Sequence, residues 1–200
     1  MSNVENLAGW LGHDADRHDD EHRGQLHLAY RLADRYAGQL LHVHGIGWHT
    51  WTGTRWDEEG RRDAFEAVYE TFRAALHDAA EMAGDDRDRL YSDVRKCEST
   101  AGVDGVLRLA SALEPFAATV ADLDRDPYLL NAANGTLDLR TGQLRPHAPA
   151  DRITKVTRAA YDLATDAPVW DAFLARVLPD PVDTHELLSH VPFHQGPPSS

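Results

Sequence analysis

Tryptophan and arginine residues that could stack bases and hold phosphates are concentrated in one short stretch of the chain, between residues 48 and 62. Aromatic side chains stack on bases, and guanidinium groups bind the phosphates between them. The candidate DNA contacts are Trp48, Trp51, Arg55, Trp56, Arg61 and Arg62. The alternative, which we favour, is that the tryptophans form the core of a hairpin and the arginines lie in solvent, an arrangement that needs no ligand.

Histidine is the second residue type that could carry chemistry, because seven of the 12 histidines precede residue 50. In a strand, His42 and His44 lie on the same face, where both imidazoles could reach one metal ion. Zinc requires a third or fourth ligand, and the sequence offers no spaced set that supplies one. We therefore expect half-exposed strand histidines and no metal site.

A nucleotide-hydrolysing motor needs a glycine loop that ends in lysine, since backbone amides and the ammonium group together neutralise the phosphates. Lys96 and Lys155 are the only lysines, and neither follows a glycine loop or precedes Ser or Thr. The sequence therefore predicts no ATPase centre of this kind in the chain. Cys97 has no partner in the sequence and no Gly-x-Ser-x-Gly elbow is present, so nucleophilic catalysis is not expected either.

Closely spaced aspartates could hold the two metal ions of a polymerase or primase centre. Such spacing occurs at Asp14/Asp16, Asp86/Asp88 and Asp122/Asp124/Asp126. All three groups lie in polar linkers or at the predicted starts of helices, where solvation and the helix dipole explain acidic residues. We therefore assign no catalytic residue.

The elements that must position these residues follow a mixed pattern. Apolar residues recur at helical spacing from Leu26 to Leu40, whereas aromatic residues and glycines between Leu40 and Trp56 indicate a small antiparallel unit. Further helices are predicted over Asp63–Met82, Asp86–Cys97 and Gly102–Leu113.

Turn signals dominate the next part of the chain. Asn134-Gly135 and Thr141-Gly142 predict a meander of three short strands between Tyr128 and Pro146. A short strand over Ile153–Val156, a helix that begins at Pro168 and ends by Pro179, and the start of another helix over Asp183–Ser189 complete the prediction. The fold class is α+β, in which helices pack on short antiparallel hairpins.

Composition limits both the organisation and the environment. A chain of 200 residues that is 42% apolar can bury a substantial core, between a flexible acidic and His-rich leader at 1–23 and a disordered tail within 181–200. The net charge of −13 requires any DNA contact to come from a local basic patch, so we expect such binding to be weak. No apolar stretch approaches a membrane span and Met1–Trp10 lacks the order of a signal peptide, which predicts a cytoplasmic protein without membrane contact.

Three stretches resemble, in the same order along the chain, the domain that precedes the superfamily 3 helicase. That domain occurs in phage and plasmid primases of the satellite-phage type and in primase-helicases of the poxvirus type. The three stretches are Trp51–Trp56, Leu130–Gly142, and Arg145–Thr154 with Trp170 and Phe173 after it. The family-motif residues are Asn131, Asn134, Gly135, Leu137, Asp138, Leu139, Thr141, Gly142 and Thr154, to which we assign a structural role.

The resemblance implies a parent protein that unwinds DNA as a ring driven by ATP and Mg²⁺. Because residues 181–200 depart from the family pattern, we expect this chain to be truncated before the motor and to bind neither cofactor. The expected role is that of a replication-associated accessory domain over residues 24–180, whose partners are helicase or primase modules of the same or another chain. A competing interpretation is a free-standing regulatory protein of a mobile element that pairs with an intact helicase.

Overall fold

The computed structural model describes residues 22–164 and 168–177, and it confirms the α+β prediction. Five helices and two small sheets lie in these ranges. The chain divides into two compact units: unit 1 comprises residues up to Thr52 and Trp56–Leu123, and unit 2 comprises Gly53–Arg55 and the residues from Asp124 onward. The predicted elements therefore belong to two separate groups.

Four helices build most of unit 1: α1 (Gly24–Tyr36), α2 (Arg61–Glu81), α3 (Asp85–Cys97) and α4 (Thr100–Ala110). Each buries one face at three- and four-residue spacing, and the α2 face is rich in alanine, which lets neighbouring helices approach closely. Helix α4 begins after Ser99, whose Oγ accepts a hydrogen bond of 3.2 Å from the amide of Gly102. The buried faces form a single apolar core.

The sheet of unit 1 has the strand order β3-β2-β1-β4, with β1 (Leu40–Val43), β2 (Gly47–Trp51), β3 (Trp56–Asp57) and β4 (Ala117–Ala118). The predicted antiparallel unit is confirmed in β1, β2 and β3, and β4 adds a short parallel pair to β1. Phe116 precedes β4 and is completely buried, and its ring meets Trp48 edge-on at 5.4 Å. This aromatic pair connects the sheet to the helical core.

One buried charge lies within the helical part of unit 1. The Asp93 carboxylate of α3 is 3% exposed and accepts two hydrogen bonds from the Arg23 guanidinium, at 2.8 and 3.1 Å. Burial raises the pKa of Asp93, but the hydrogen bonds from Arg23 and from the Gly24 amide outweigh it, so the pKa lies below its ordinary value. Arg23, which immediately precedes α1, is thereby tied to α3.

Unit 2 contains the predicted meander: β5 (Leu129–Ala132), β6 (Gly135–Asp138) and β7 (Gln143–Arg145), in the order β5-β6-β7. A 3₁₀ turn over Pro149–Asp151 follows, and helix α5 (Pro168–Val177) begins at the predicted proline. Every helix of the described ranges is too short or too polar to span a bilayer.

Two helix ends differ from the prediction by three or four residues, the helix starts differ by at most two, and one predicted strand is wrong. Helix α1 ends at Tyr36 because Gly38 adopts a φ of 76°, and helix α4 ends at Ala110 instead of Leu113. Residues 153–156 form no strand. The carbonyl of Lys155 is bound by the Asn131 side chain, and the Thr157 amide donates to the Asn131 carbonyl, so the hydrogen bonds to β5 do not form a regular ladder. Nearly all of the predicted leader, the predicted helix over Asp183–Ser189 and the predicted tail lie outside the described residues.

Candidate functional site

The three tryptophans of the first candidate cluster pack inside unit 1. Trp48 is 8% exposed and Trp56 is 3% exposed, each in an apolar cluster, while Trp51 is half-buried with its ring 5.7 Å from that of Trp56. Such burial favours the interpretation of these side chains as hairpin core. A role of the three residues in DNA contact stays a prediction.

The three arginines of this cluster have different surroundings. The Arg61 guanidinium lies 5.7 Å from the ring centre of Phe65, and Arg62 is exposed on the same helix. Arg55 belongs to unit 2, where its Nη1 donates to the Thr154 carbonyl at 3.2 Å. Five of the six candidates therefore lie in unit 1, and the sixth supports a loop of unit 2.

His42 and His49 are packed by their neighbours, whereas His44 follows the end of β1 and is exposed. The His42 ring meets Trp48 edge-on at 5.1 Å, and its pKa lies below the ordinary value because burial, His44 and His49 all disfavour the charged form. His49 is buried, with its Nδ1 3.1 Å from the Gly47 carbonyl. Within the described ranges, no three His, Cys, Asp or Glu side chains are grouped so that they could hold a metal ion.

Asn131 is the centre of a polar network in unit 2. Its side chain is 4% exposed and its Nδ2 donates to the carbonyls of Thr54, at 2.8 Å, and Lys155, at 2.9 Å. The two donors fix the orientation of the amide, so Oδ1 is the acceptor. Oδ1 lies 2.7 Å from the Nδ1 of His147 and 3.4 Å from the Thr136 hydroxyl. One buried side chain therefore joins four segments of the chain.

This network also fixes the tautomer of His147. Because Asn131 Oδ1 can only accept, the hydrogen of a neutral imidazole must lie on Nδ1. The Nε2 atom is then an acceptor. Two residues earlier, the guanidinium of Arg145 is held by two hydrogen bonds to the Asp151 carboxylate, at 2.8 and 2.6 Å. Both polar side chains are thus oriented before any ligand arrives.

The turn between β5 and β6 holds a second segment in place. Asn134 Nδ2 donates to the Tyr161 carbonyl at 3.0 Å, while its Oδ1 accepts from the Tyr161 amide at 2.9 Å. Gly135 has a φ of 154°, and a Cβ at this position would lie 2.5 Å from the Arg145 carbonyl oxygen. The Asn-Gly pair therefore serves two close approaches that other residues would not permit.

The remaining motif residues also make contacts within unit 2. Thr154 donates from its amide (2.9 Å) and its hydroxyl (2.5 Å) to the Asp124 carboxylate. Leu137 is completely buried in the central strand, and the Leu139 amide donates to the Tyr128 carbonyl. In the next turn, the Asp138 carboxylate accepts from the Arg140 amide, the Asp138 carbonyl accepts from the amides of Thr141 and Gly142, and Gly142 has a φ of 68°.

An open pocket of about 480 Å³ lies in unit 2 beside this network. Its lining consists of Gly53, Asn134, Leu144, Arg145, Pro146 and His147. The three motif stretches all reach this pocket: the first through Gly53, the second through Asn134 and the third through Arg145, Pro146 and His147. Chemically, it combines a cation, an imidazole and two apolar side chains.

The D5 N-terminal-like family model matches residues 29–179, which is most of the chain. The chain belongs to this family. No curated protein matches it. The D5 N-terminal-like domain is found in phage and plasmid primase-helicase proteins, so the chain is associated with the primase-helicase proteins of DNA replication.

Among the described residues of this family member, neither lysine has the setting of the lysine that binds ATP phosphates in a helicase motor. Lys96 lies in the last turn of α3. Lys155 lies outside the helices and strands, and its backbone carbonyl accepts a hydrogen bond from the Asn131 side chain. Neither ammonium group follows a glycine loop whose amides converge on a phosphate, which is the arrangement that triphosphate binding requires. We therefore assign no step of ATP hydrolysis to these residues.

The site of the D5 N-terminal-like domain includes residues that the sequence interpretation did not select. His147, Arg145, Asp151 and Tyr161 take part in the network or the pocket and none was a candidate, while Asp124, which binds Thr154, was considered only as a possible metal ligand. The first three lie within the third stretch of the resemblance, so the signal was present as the sequence Arg-Pro-His followed by an aspartate. Tyr161 contributes only its backbone to the Asn134 hydrogen bonds, which no side-chain pattern could have indicated.

Proposed function

We propose that this chain is a non-catalytic accessory domain of a primase-helicase replication protein, which joins priming and unwinding modules or assists ring assembly. The proposal rests on one observation, which is what the motif side chains bind. Asn131, Asn134 and Thr154 all hydrogen-bond to groups of the chain itself. Residues used in this way build a fixed surface, in contrast to a reaction centre, where polar groups point toward a substrate.

Charge supports unit 2 as the part of the domain that approaches DNA. Among the described residues, unit 2 has eight Arg and Lys and six Asp, a net charge of +2. The described part of unit 1 has eleven Arg and Lys and seventeen Asp and Glu, a net charge of −6. Since phosphate binding depends on local basic surface, weak DNA contact is expected through unit 2.

The test uses the full 200-residue chain. Light scattering after size exclusion measures its assembly, and fluorescence anisotropy with a labelled oligonucleotide measures DNA binding at about 50 mM salt, where electrostatic contacts are strong. ATP turnover and primer synthesis are measured on the same sample. We expect assembly, DNA binding or both, without turnover. A monomer that is indifferent to DNA, or a homogeneous preparation that hydrolyses ATP, would overturn the proposal.

A further inference from the structure

We propose that the open pocket of unit 2 holds one unpaired nucleotide of a single-stranded DNA. The inference rests on the proposed function, because an unwinding complex is what supplies an unpaired strand. It goes further by naming the site and the chemical class of its ligand. The lining residues are those of the 480 Å³ pocket described above, and all belong to unit 2.

The first argument is the convergence of chain segments. Gly53 comes from the loop between β2 and β3, Asn134 from the β5–β6 turn, and Arg145 from the end of β7. Partly buried hydrogen bonds hold these segments together, since the Asn131 side chain binds the carbonyl of Thr54 and contacts His147. A pocket whose walls are fixed in this way is preorganised, so a ligand loses little free energy to ordering of the protein.

The second argument is the chemistry of the two polar side chains. The Arg145 side chain is 40% exposed even though Asp151 binds it, so part of the guanidinium remains available to a phosphate oxygen. The His147 tautomer leaves Nε2 as a hydrogen-bond acceptor, which suits an N–H group on the edge of a base. A nucleotide supplies both complementary groups in one molecule.

The third argument is the apolar part and the size of the pocket. Leu144 is 38% exposed and Pro146 is exposed, which provides apolar surface for the flat face of a base. Gly53 contributes only backbone and leaves space beside them. The volume of 480 Å³ falls within the range of about 300–1,000 Å³ that small-molecule sites occupy.

An unpaired strand fits this pocket better than a duplex. In a duplex both flat faces of a base are covered by its stacked neighbours, so the apolar surface of Leu144 and Pro146 can contact the face of a base only in an unpaired strand. A paired base would first have to leave the stack, at a free-energy cost of a few kcal/mol. We therefore expect the chain to prefer a single-stranded oligonucleotide over the same sequence in duplex form.

The experiment compares two leucines that flank Leu137 on the same face of the sheet. Leu144 lines the pocket and Leu130 does not, yet their exposed fractions are 38% and 39%, and both pair directly with Leu137. In the full chain, Leu144→Asp should raise the Kd for a labelled single-stranded 12-mer by roughly tenfold, the size of one base contact. Leu130→Asp, the matched control, should change the Kd by less than about twofold. Urea unfolding of both variants tests whether they are equally folded.

A second measurement requires no variant. The wild-type chain is photo-crosslinked to a 12-mer that carries bromodeoxyuridine, and the crosslinked residues are identified by mass spectrometry. Crosslinks within residues 144–147 support the proposal, and crosslinks confined to unit 1 overturn it. Equal weakening by the two leucine variants overturns it as well.

If dAMP competes as effectively as the 12-mer, the ligand is a free nucleotide and the proposed strand is wrong. A chain that assembles but binds no oligonucleotide contradicts the pocket inference alone, whereas an unassembled chain that ignores DNA contradicts the proposed function.

Discussion

The two units are stabilised in different ways. In unit 1, four helices and a sheet bury apolar side chains around Phe116 and Trp48. In unit 2, the face of the meander that carries Asn131 and Thr136 buries polar groups, and hydrogen bonds from side chains to backbone position the neighbouring loops. An apolar core tolerates exchange among residues of similar volume, whereas a buried amide with several partners has no equivalent replacement. This difference agrees with the position of the nine family-motif residues between Asn131 and Thr154, all of which lie in unit 2.

The difference also separates stability from binding. Unit 1 has the larger apolar core and an excess of carboxylates, while the described part of unit 2 has an excess of cations and contains the pocket. Substitutions in unit 1 should therefore act on folding, and substitutions on the surface of unit 2 should act on ligand binding. The predictions below test this separation.

The largest expected effect is in the apolar core. Phe116→Ala removes a completely buried ring and its contact with Trp48, which should lower the free energy of unfolding by about 3–5 kcal/mol. Urea denaturation followed by tryptophan fluorescence measures this. Tyr69→Ala, at a side chain that is 45% exposed, is the control and should change the value by less than about 1 kcal/mol. Equal losses of unfolding free energy in the two variants would mean that the apolar core does not dominate the stability of unit 1.

A smaller effect is expected at the centre of the polar network. Asn131→Ala leaves the carbonyls of Thr54 and Lys155 without their donor, so the free energy of unfolding should fall by roughly 2–3 kcal/mol. Hydrogen exchange should increase over residues 153–161 in particular. Gln143→Ala is the control, because its side chain is exposed on β7 of the same unit. If hydrogen exchange rises equally in the helices of unit 1, the polar network of unit 2 and the apolar core of unit 1 are not independent.

The sequence predicted the helices and strands well where apolar residues recur regularly on one face or where a turn signal is present. The helix predicted over Asp63–Met82 is observed as α2, and Asn134-Gly135 and Thr141-Gly142 define the turns of the meander. These signals are local, since helical periodicity and positive φ depend on a few adjacent residues. The strand predicted over Ile153–Val156 failed because its hydrogen bonds depend on a distant side chain, that of Asn131.

The site was predicted less completely, for the same physical reason. Asn131 and Asn134 were selected as structural residues, and the structure brings them together with His147 and Tyr161. Contacts between residues 16 to 27 positions apart have no period in the sequence. The tryptophan cluster was conspicuous by composition, and the burial of Trp48 and Trp56 agrees with the favoured interpretation of these side chains as hairpin core.

A moderate effect is expected at the buried carboxylate of Asp93 in unit 1. Asp93→Asn should lower the free energy of unfolding at pH 7 by about 1–2 kcal/mol, discounted because the Arg23 side chain is 52% exposed. The pKa of Asp93 lies below its ordinary value, so its contribution is complete above about pH 4 and is lost as the pH falls through the folded-state pKa. Urea unfolding at pH 7 and pH 3 should therefore show a difference between wild type and variant that shrinks in acid. A difference that stays constant would contradict this assignment.

The smallest effect should be the same in both units. Gly142 in unit 2 and Gly45 in unit 1 have φ angles of 68° and 82°, and a Cβ added to either meets nothing within 4 Å. Gly142→Ala and Gly45→Ala should therefore each lower the free energy of unfolding by about 1 kcal/mol, through backbone strain alone. Parallel urea titrations of the two variants measure both values. Neither glycine touches the apolar core or the polar network. Equal losses would therefore mean that the two units differ only in how their side chains stabilise them. A loss several times larger in one unit would show that their backbones also differ in rigidity.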